Sequence, residues 1–143
     1  MTIKFYRVKE PHGYMSNFYK AKFFLNGKWW ISTEHYYQAM KALDPIERES
    51  VRQTLKPKEA RELGQKITLR PDFDSVKDTI MKECVLAKFV QHQDLMMRLF
   101  ASSAEELIED SPVDWYWGCG KDGTGKNMLG KILMEVREEL RNG

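Results

Sequence analysis

The chain has 143 residues, 42% of them apolar and 31% charged, and its 23 basic and 21 acidic side chains leave a net charge of +2. This is the composition of a folded globular protein, and so small a basic excess does not predict general nucleic-acid binding, where a strong positive stripe is expected, although local basic clusters could still hold phosphate. No apolar run approaches the roughly 20 residues of a membrane span, and Met1 to Tyr14 lack the apolar core of a signal peptide, so a cytoplasmic protein without membrane contact is expected.

In chain order, the first third is rich in aromatics and β-formers. Ile3 to Val8 reads as a strand, and "EPHGYMSNFY", with Pro11 and Gly13, as a loop. Ala21 to Ile31 reads as a hairpin, because Asn26-Gly27 between two apolar runs is the preferred pair for a tight turn with positive φ. From Ser32 the period becomes helical. Ser32 or Thr33 caps "TEHYYQAMKAL", with Tyr36, Met40 and Leu43 on one apolar face, until Asp44-Pro45 breaks it. A short helix is expected over Ile46 to Leu55, and another from Pro57, since proline suits a first helical turn. "DFDSVKDTIMKECVLAKFVQH" is the longest helical pattern, with Val76, Ile80, Cys84 and Ala87 along one side. "QDLMMRLFAS" and "SAEELIED" read as shorter helices. Leu129, Ile132, Leu133, Val136 and Leu140 mark an amphipathic C-terminal helix. The fold class is α+β: one mostly helical domain over residues 1–143 with a small N-terminal antiparallel sheet.

Cys84 and Cys119 form no C-x-x-C pair, and the three histidines have no ligand spacing, so neither a disulfide framework nor a metal site is expected. Cys84 fits a helical core position; Cys119, in a glycine loop, is open to a core or a site-lining role.

Three constellations carry chemistry. In "GCGKDGTGKN" (Gly118 to Asn127), Gly120 to Lys126 match the phosphate-loop pattern G-x-x-x-x-G-K-[ST] except that Asn127 replaces the hydroxyl. That removes the magnesium ligand, and the aromatic "SPVDWYWG" before it is no run of Val and Ile, which argues against a nucleotide triphosphatase. A flexible connector is one reading. The other is an anion site, in which the glycines let backbone approach a ligand, the next helix presents unpaired amides, and Lys126 adds charge where the helix dipole disfavours it. Asn127 then suits a ribose hydroxyl or a base edge.

In "EHYYQAMK", Glu34, Gln38 and Lys41 fall at i, i+4 and i+7 on one helix stripe, with Tyr37 beside them. Such a stripe is equally that of a solvated face. The surrounding Trp29, Trp30, Tyr36 and Tyr37 point instead to an acid and an amine able to shift each other's pKa, as acid–base or imine chemistry requires. In "DWYWG", Trp115 and Trp117 at i, i+2 share one side if the segment is extended and form a stacking platform, unless both fill core. Asp114 is the adjacent carboxylate.

These pieces resemble the NADAR family, also called YbiA-like. The matching segments are "SNF" (Ser16 to Phe18), "W-x-S-T-E-H-Y-Y-Q-A-M-K" (Trp30 to Lys41), "A-R-E-L-G" (Ala60 to Gly64), "DWYWG" and "GTGKNMLGKILMEVRE", spread over nearly the whole chain. The resemblance implies an N-glycosidase that cuts a ribose C1′–N bond without metal or cofactor. Its substrate would be a small phosphorylated ribosyl compound, a phosphoribosylamino-pyrimidine intermediate of riboflavin synthesis. The alternatives are ADP-ribose on guanine of a nucleic acid, and a non-catalytic ADP-ribose or nucleotide reader. Cleavage builds positive charge on the sugar, which a carboxylate stabilises. On this basis Glu34 is expected as general acid/base, Lys41 as nucleophile or proton partner, and Asp114 as support for developing charge. Tyr37, Trp115 and Trp117 would contact base or sugar. Ser16, Asn17, Phe18, Gly118, Lys126 and Asn127 would hold ribose and phosphate. Early and late groups are expected to converge on one cleft.

Overall fold

A computed structural model describes residues 1–143, which form two compact units, residues 17–91 and residues 1–16 with 92–143. The α+β, mostly helical class and the small antiparallel sheet are as expected. No helix is long and apolar enough to cross a membrane.

In the first unit, strands β2 (Phe23–Leu25) and β3 (Lys28–Trp30) pair antiparallel; β1 (Thr2–Phe5), earlier in the chain, belongs to the other unit. Asn26 and Gly27 have φ of 52° and 77°, the double positive φ of the tight turn their sequence dictates. Both outer edges are closed by side chains. The Gln91 amide accepts from Phe24 N at 2.7 Å and donates to Phe24 O at 2.8 Å, while Arg52 donates to Trp29 O at 3.1 Å. A two-stranded hairpin thereby loses the free edges that invite pairing with another chain.

Four helices complete this unit: α1 (Thr33–Ala39), α2 (Pro45–Arg52), α3 (Pro57–Gly64) and α4 (Phe73–Gln91). Their starts follow local chemistry. Asp44 accepts from Ile46 N at 3.0 Å and Pro45 opens α2, while Pro57 opens α3. Helix α1 packs on α2, α3 and α4, and every one of its residues is buried. It is a core helix on all sides, not an amphipathic one. It also ends sooner than its pattern predicts: Lys41 lies in the turn beyond it, where its carbonyl accepts from Arg70 N at 2.7 Å, and Leu43 is 56% exposed. On α4, Lys88 is buried with its Nζ 5.6 Å from the Tyr19 ring centre and 5.3 Å from that of Phe89. Burial brings its pKa down to about 7, against a smaller upward pull from Cys84.

In the other unit, β1 (Thr2–Phe5) pairs with β4 (Glu106–Glu109), in parallel and with Thr2 opposite Glu106. Helix α6 (Met128–Asn142) packs on β4, and α5 (Gln93–Ala101) packs on α6. The helix expected over "SAEELIED" is therefore a strand. Two apolar residues between two glutamates have no strong local preference, and their pairing partner lies at the far end of the sequence. Leu129, Ile132, Leu133 and Val136 of α6 are buried as their spacing predicts.

Candidate active site

The start of α1 is fixed by short polar contacts. Ser32 caps the helix, its Oγ accepting from His35 N at 3.2 Å. His35 Nε2 lies 3.0 Å from Thr54 O, and a carbonyl only accepts, so the proton is on Nε2. Nδ1 then accepts from the Ser32 hydroxyl at 2.7 Å. Burial lowers the His35 pKa, which keeps this neutral tautomer. Asn17 ties the preceding loop to the same turn: its carbonyl accepts from Glu34 N at 3.2 Å, and its Oδ1 from Thr33 Oγ1 at 2.8 Å. Ser16 and Asn17 are buried, and Phe18 is half-buried. Asn17 thus positions Glu34, a role its sequence did not suggest.

Glu34 is 7% exposed, and its Oε2 accepts a 2.7 Å hydrogen bond from Gln38 Nε2. Gln38 is 4% exposed, and its Oε1 is buried with no hydrogen-bond partner. An unsatisfied buried acceptor costs roughly 1–3 kcal/mol. The amide fits only because α3 turns a glycine toward it: a Cβ on Gly64 would stand 2.1 Å from that oxygen. Two turns of sequence beyond Glu34, the half-buried Lys41 has its Nζ 5.5 Å from the Tyr37 ring centre and 6.0 Å from that of Phe73. Burial lowers the Lys41 pKa below the usual lysine value, the Glu34 carboxylate pulls it back up, and Arg61 lowers it further. The structure therefore brings Glu34, Gln38, Tyr37 and Lys41 into one buried neighbourhood. Phe73 and Gly64 belong to it as well. Sequence reasoning passed over both, although Gly64 closes one of the motifs it quoted.

The late segment is built differently. Asp114 to Gly118 is a run of bends, so the two-residue spacing does not put the indoles in one environment: Trp115 is 47% exposed and Trp117 is 8% exposed. The Asp114 Oδ1 accepts from Tyr116 N at 3.0 Å and Trp117 N at 2.7 Å, an Asx turn that shapes the bend. Gly120 has φ of 73°, and a Cβ there would lie 2.4 Å from the Trp115 ring, so that indole lies against bare backbone.

The anion-site reading relied on free amides where α6 begins, and those amides are bonded to the aromatic segment: Lys126 N donates to Trp115 O at 2.9 Å and Asn127 N to Gly118 O at 3.0 Å. Met128 N and Leu129 N, at the start of α6, likewise donate to Tyr116 O at 2.9 Å and Trp117 O at 3.1 Å. Carbonyls of "WYWG" thus cap the helix that was expected to offer free donors. Asn127, with φ of 52°, is committed as well, because its Nδ2 donates to Leu107 O at 2.9 Å and its Oδ1 accepts from Glu109 N at 2.9 Å. Its amide joins α6 to β4, which is why a hydroxyl would not serve here. Lys126 is exposed, its Nζ 5.5 Å from the Tyr116 ring centre. Glu109, whose Oε2 would lie 2.7 Å from a Cβ on Gly118, is a carboxylate beside this segment that sequence reasoning missed by reading its strand as helix.

Residues 4–141 match the NADAR domain family. The chain belongs to that family. It is 44% identical to N-glycosidase Npun_R5314 of Nostoc punctiforme over 99% of this chain and 94% of that one. It is 41% identical to N-glycosidase YbiA of Escherichia coli over 96% of this chain and 88% of YbiA. The NMR structure of YbiA superposes with a TM-score of 0.92, covering 99% of this chain and 85% of that one. Riboflavin biosynthesis protein VVA0006 of Vibrio vulnificus is 40% identical over 97% of this chain, which corresponds to only 38% of that longer protein. With near full-length relatives named for the activity, this NADAR chain is an enzyme of the N-glycosidase class.

Proposed function

We propose that the enzyme hydrolyses the ribose C1′–N bond of phosphoribosylamino-pyrimidine intermediates of riboflavin synthesis, with Glu34 and Lys41 as its reacting groups. The observation that carries this reading is the buried Glu34 carboxylate, held by Gln38 and close enough to Lys41 to act on its pKa. The substrate class is supported by the name of the Vibrio vulnificus relative, a riboflavin biosynthesis protein that contains a similar domain within a longer chain.

In the chemistry proposed, Lys41 Nζ attacks C1′ as a neutral amine, and the ionised Glu34 takes the proton that this nitrogen sheds and passes it to the leaving nitrogen as the C1′–N bond breaks. The bond from C1′ to the ring oxygen then opens, that oxygen taking the remaining Nζ proton, which leaves an imine on Lys41. Water adds to C1′, its two protons pass by way of Glu34 to Nζ, and the C1′–Nζ bond breaks to release the sugar and the free Lys41 amine. The depressed Lys41 pKa favours this route, since only the neutral amine is a nucleophile. Oxygen donated by water ends on C1′ and the two water protons replace those that Nζ gave up, so Glu34 returns to its starting state. Within this reading Asn17, Phe18 and Tyr37 frame the sugar. Asp114, Trp117, Gly118 and Asn127 shape the bend that carries Trp115.

The test is to incubate the protein separately with the phosphoribosylamino-pyrimidine and with ADP-ribosylated DNA, and to weigh the products. Release of ribose phosphate from the first, with a borohydride-trapped adduct on Lys41, is the expected result. Cleavage of the ADP-ribosylated DNA alone would assign the site to the other substrate, and cleavage of neither would reject the proposal.

A further inference from the structure

The unpartnered oxygen of Gln38 shows which end of that amide matters. A methionine or leucine would occupy a similar volume without leaving a carbonyl bare in the core, so packing does not account for glutamine at this position. Its other end donates to Glu34 Oε2 at 2.7 Å, and a donor to a carboxylate favours the ionised form while fixing which way the group points. Gly64 is the second half of the device. A Cβ there would come within 2.1 Å of Oε1, 2.8 Å of Cδ and 2.9 Å of Cβ of Gln38, so any larger residue drives the amide off Glu34.

We propose that Gln38 is a positioning residue which keeps Glu34 ionised and aimed, and that Gly64 is there to give its amide room. The inference rests on the role given to Glu34 above, and it can be tested without turnover. Charged and titratable groups around Glu34 in this unit include Lys41, Tyr37, Cys84 on α4 and, beyond Lys41, Arg61 on α3. Lys41 as a cation also favours the carboxylate, so the contribution of Gln38 must be read as a difference between variants.

Carbon-13 NMR titration of the Glu34 carboxyl, assigned by its disappearance in Glu34→Gln, provides that difference in the substrate-free protein. In Gln38→Met the Glu34 pKa is expected to rise by about one to two pH units, the size of a lost charge-assisted hydrogen bond. Gly64→Ala leaves both side chains of the pair chemically unaltered, displaces the Gln38 amide, and is expected to move the pKa in the same direction by less. With the phosphoribosylamino-pyrimidine as substrate, the acidic limb of kcat/KM should move with the titration and kcat should fall about 10- to 100-fold with little change in KM. A Glu34 pKa unchanged in folded Gln38→Met and Gly64→Ala would overturn the proposal even if Glu34→Gln is inactive. An active Glu34→Gln would instead remove the catalytic role on which it rests, whatever the titration gives.

Discussion

Residues 33–41 and residues 114–129 both set polar groups against aromatic side chains, and they spend those groups differently. In the late stretch, four successive amides, the Asp114 carboxylate and both ends of the Asn127 amide are absorbed by neighbouring backbone. In the early one, a buried carboxylate is held by an amide that leaves its own oxygen bare, beside a lysine whose charge burial opposes. Backbone satisfaction is what a fold needs; uncompensated burial of polar groups works against it and is found where reactivity is being tuned. The stretch with the more familiar ligand-loop signature is the one whose polar groups are bonded to backbone.

The largest effect expected from this contrast is at Asn127. Asn127→Ala removes two hydrogen bonds to β4 and leaves a non-glycine, non-asparagine residue at positive φ, so the loss of stability should be about 3 kcal/mol, read by denaturant unfolding. If the variant keeps its stability and loses only substrate affinity, Asn127 belongs to a binding site and the contrast fails.

A smaller effect concerns the unit built around α1, which should carry a distinctive pH dependence. The Lys88 pKa of about 7 in the folded protein lies below the ordinary lysine value, so between these values the unfolded chain binds the extra proton. Stability should therefore climb from pH 7 to about pH 9, by about 2 kcal/mol. Above that the climb should stop, because the unfolded chain ionises Cys84 and Tyr36 while burial holds both pKa values up in the fold. Lys88→Met should abolish the climb. A variant that retains it would place the titrating group elsewhere.

Much of this was readable from local chemistry. Ser32, Asp44-Pro45 and Pro57 announce helix starts, and Asn26-Gly27 announces the hairpin, because caps and turns are decided by the residues that form them. Glu34, Tyr37 and Lys41 were legible as a group for the same reason of spacing. What escaped was set from a distance. Glu106–Glu109 is a strand only because β1 lies alongside, and α1 stops at Ala39 with Arg70 bonded to the Lys41 carbonyl. The amides of α6 look free in sequence because their acceptors, the carbonyls of residues 115–118, belong to a separate motif. Gly64 was visible as a letter in a motif but not as the space into which Gln38 fits.

Turnover by Glu34→Gln tests the central claim most directly. The substitution keeps the shape of the side chain and removes its ability to exchange a proton, so a variant with a native circular dichroism spectrum should release no measurable ribose phosphate from the phosphoribosylamino-pyrimidine. Release at the rate of the unmodified enzyme would contradict the account.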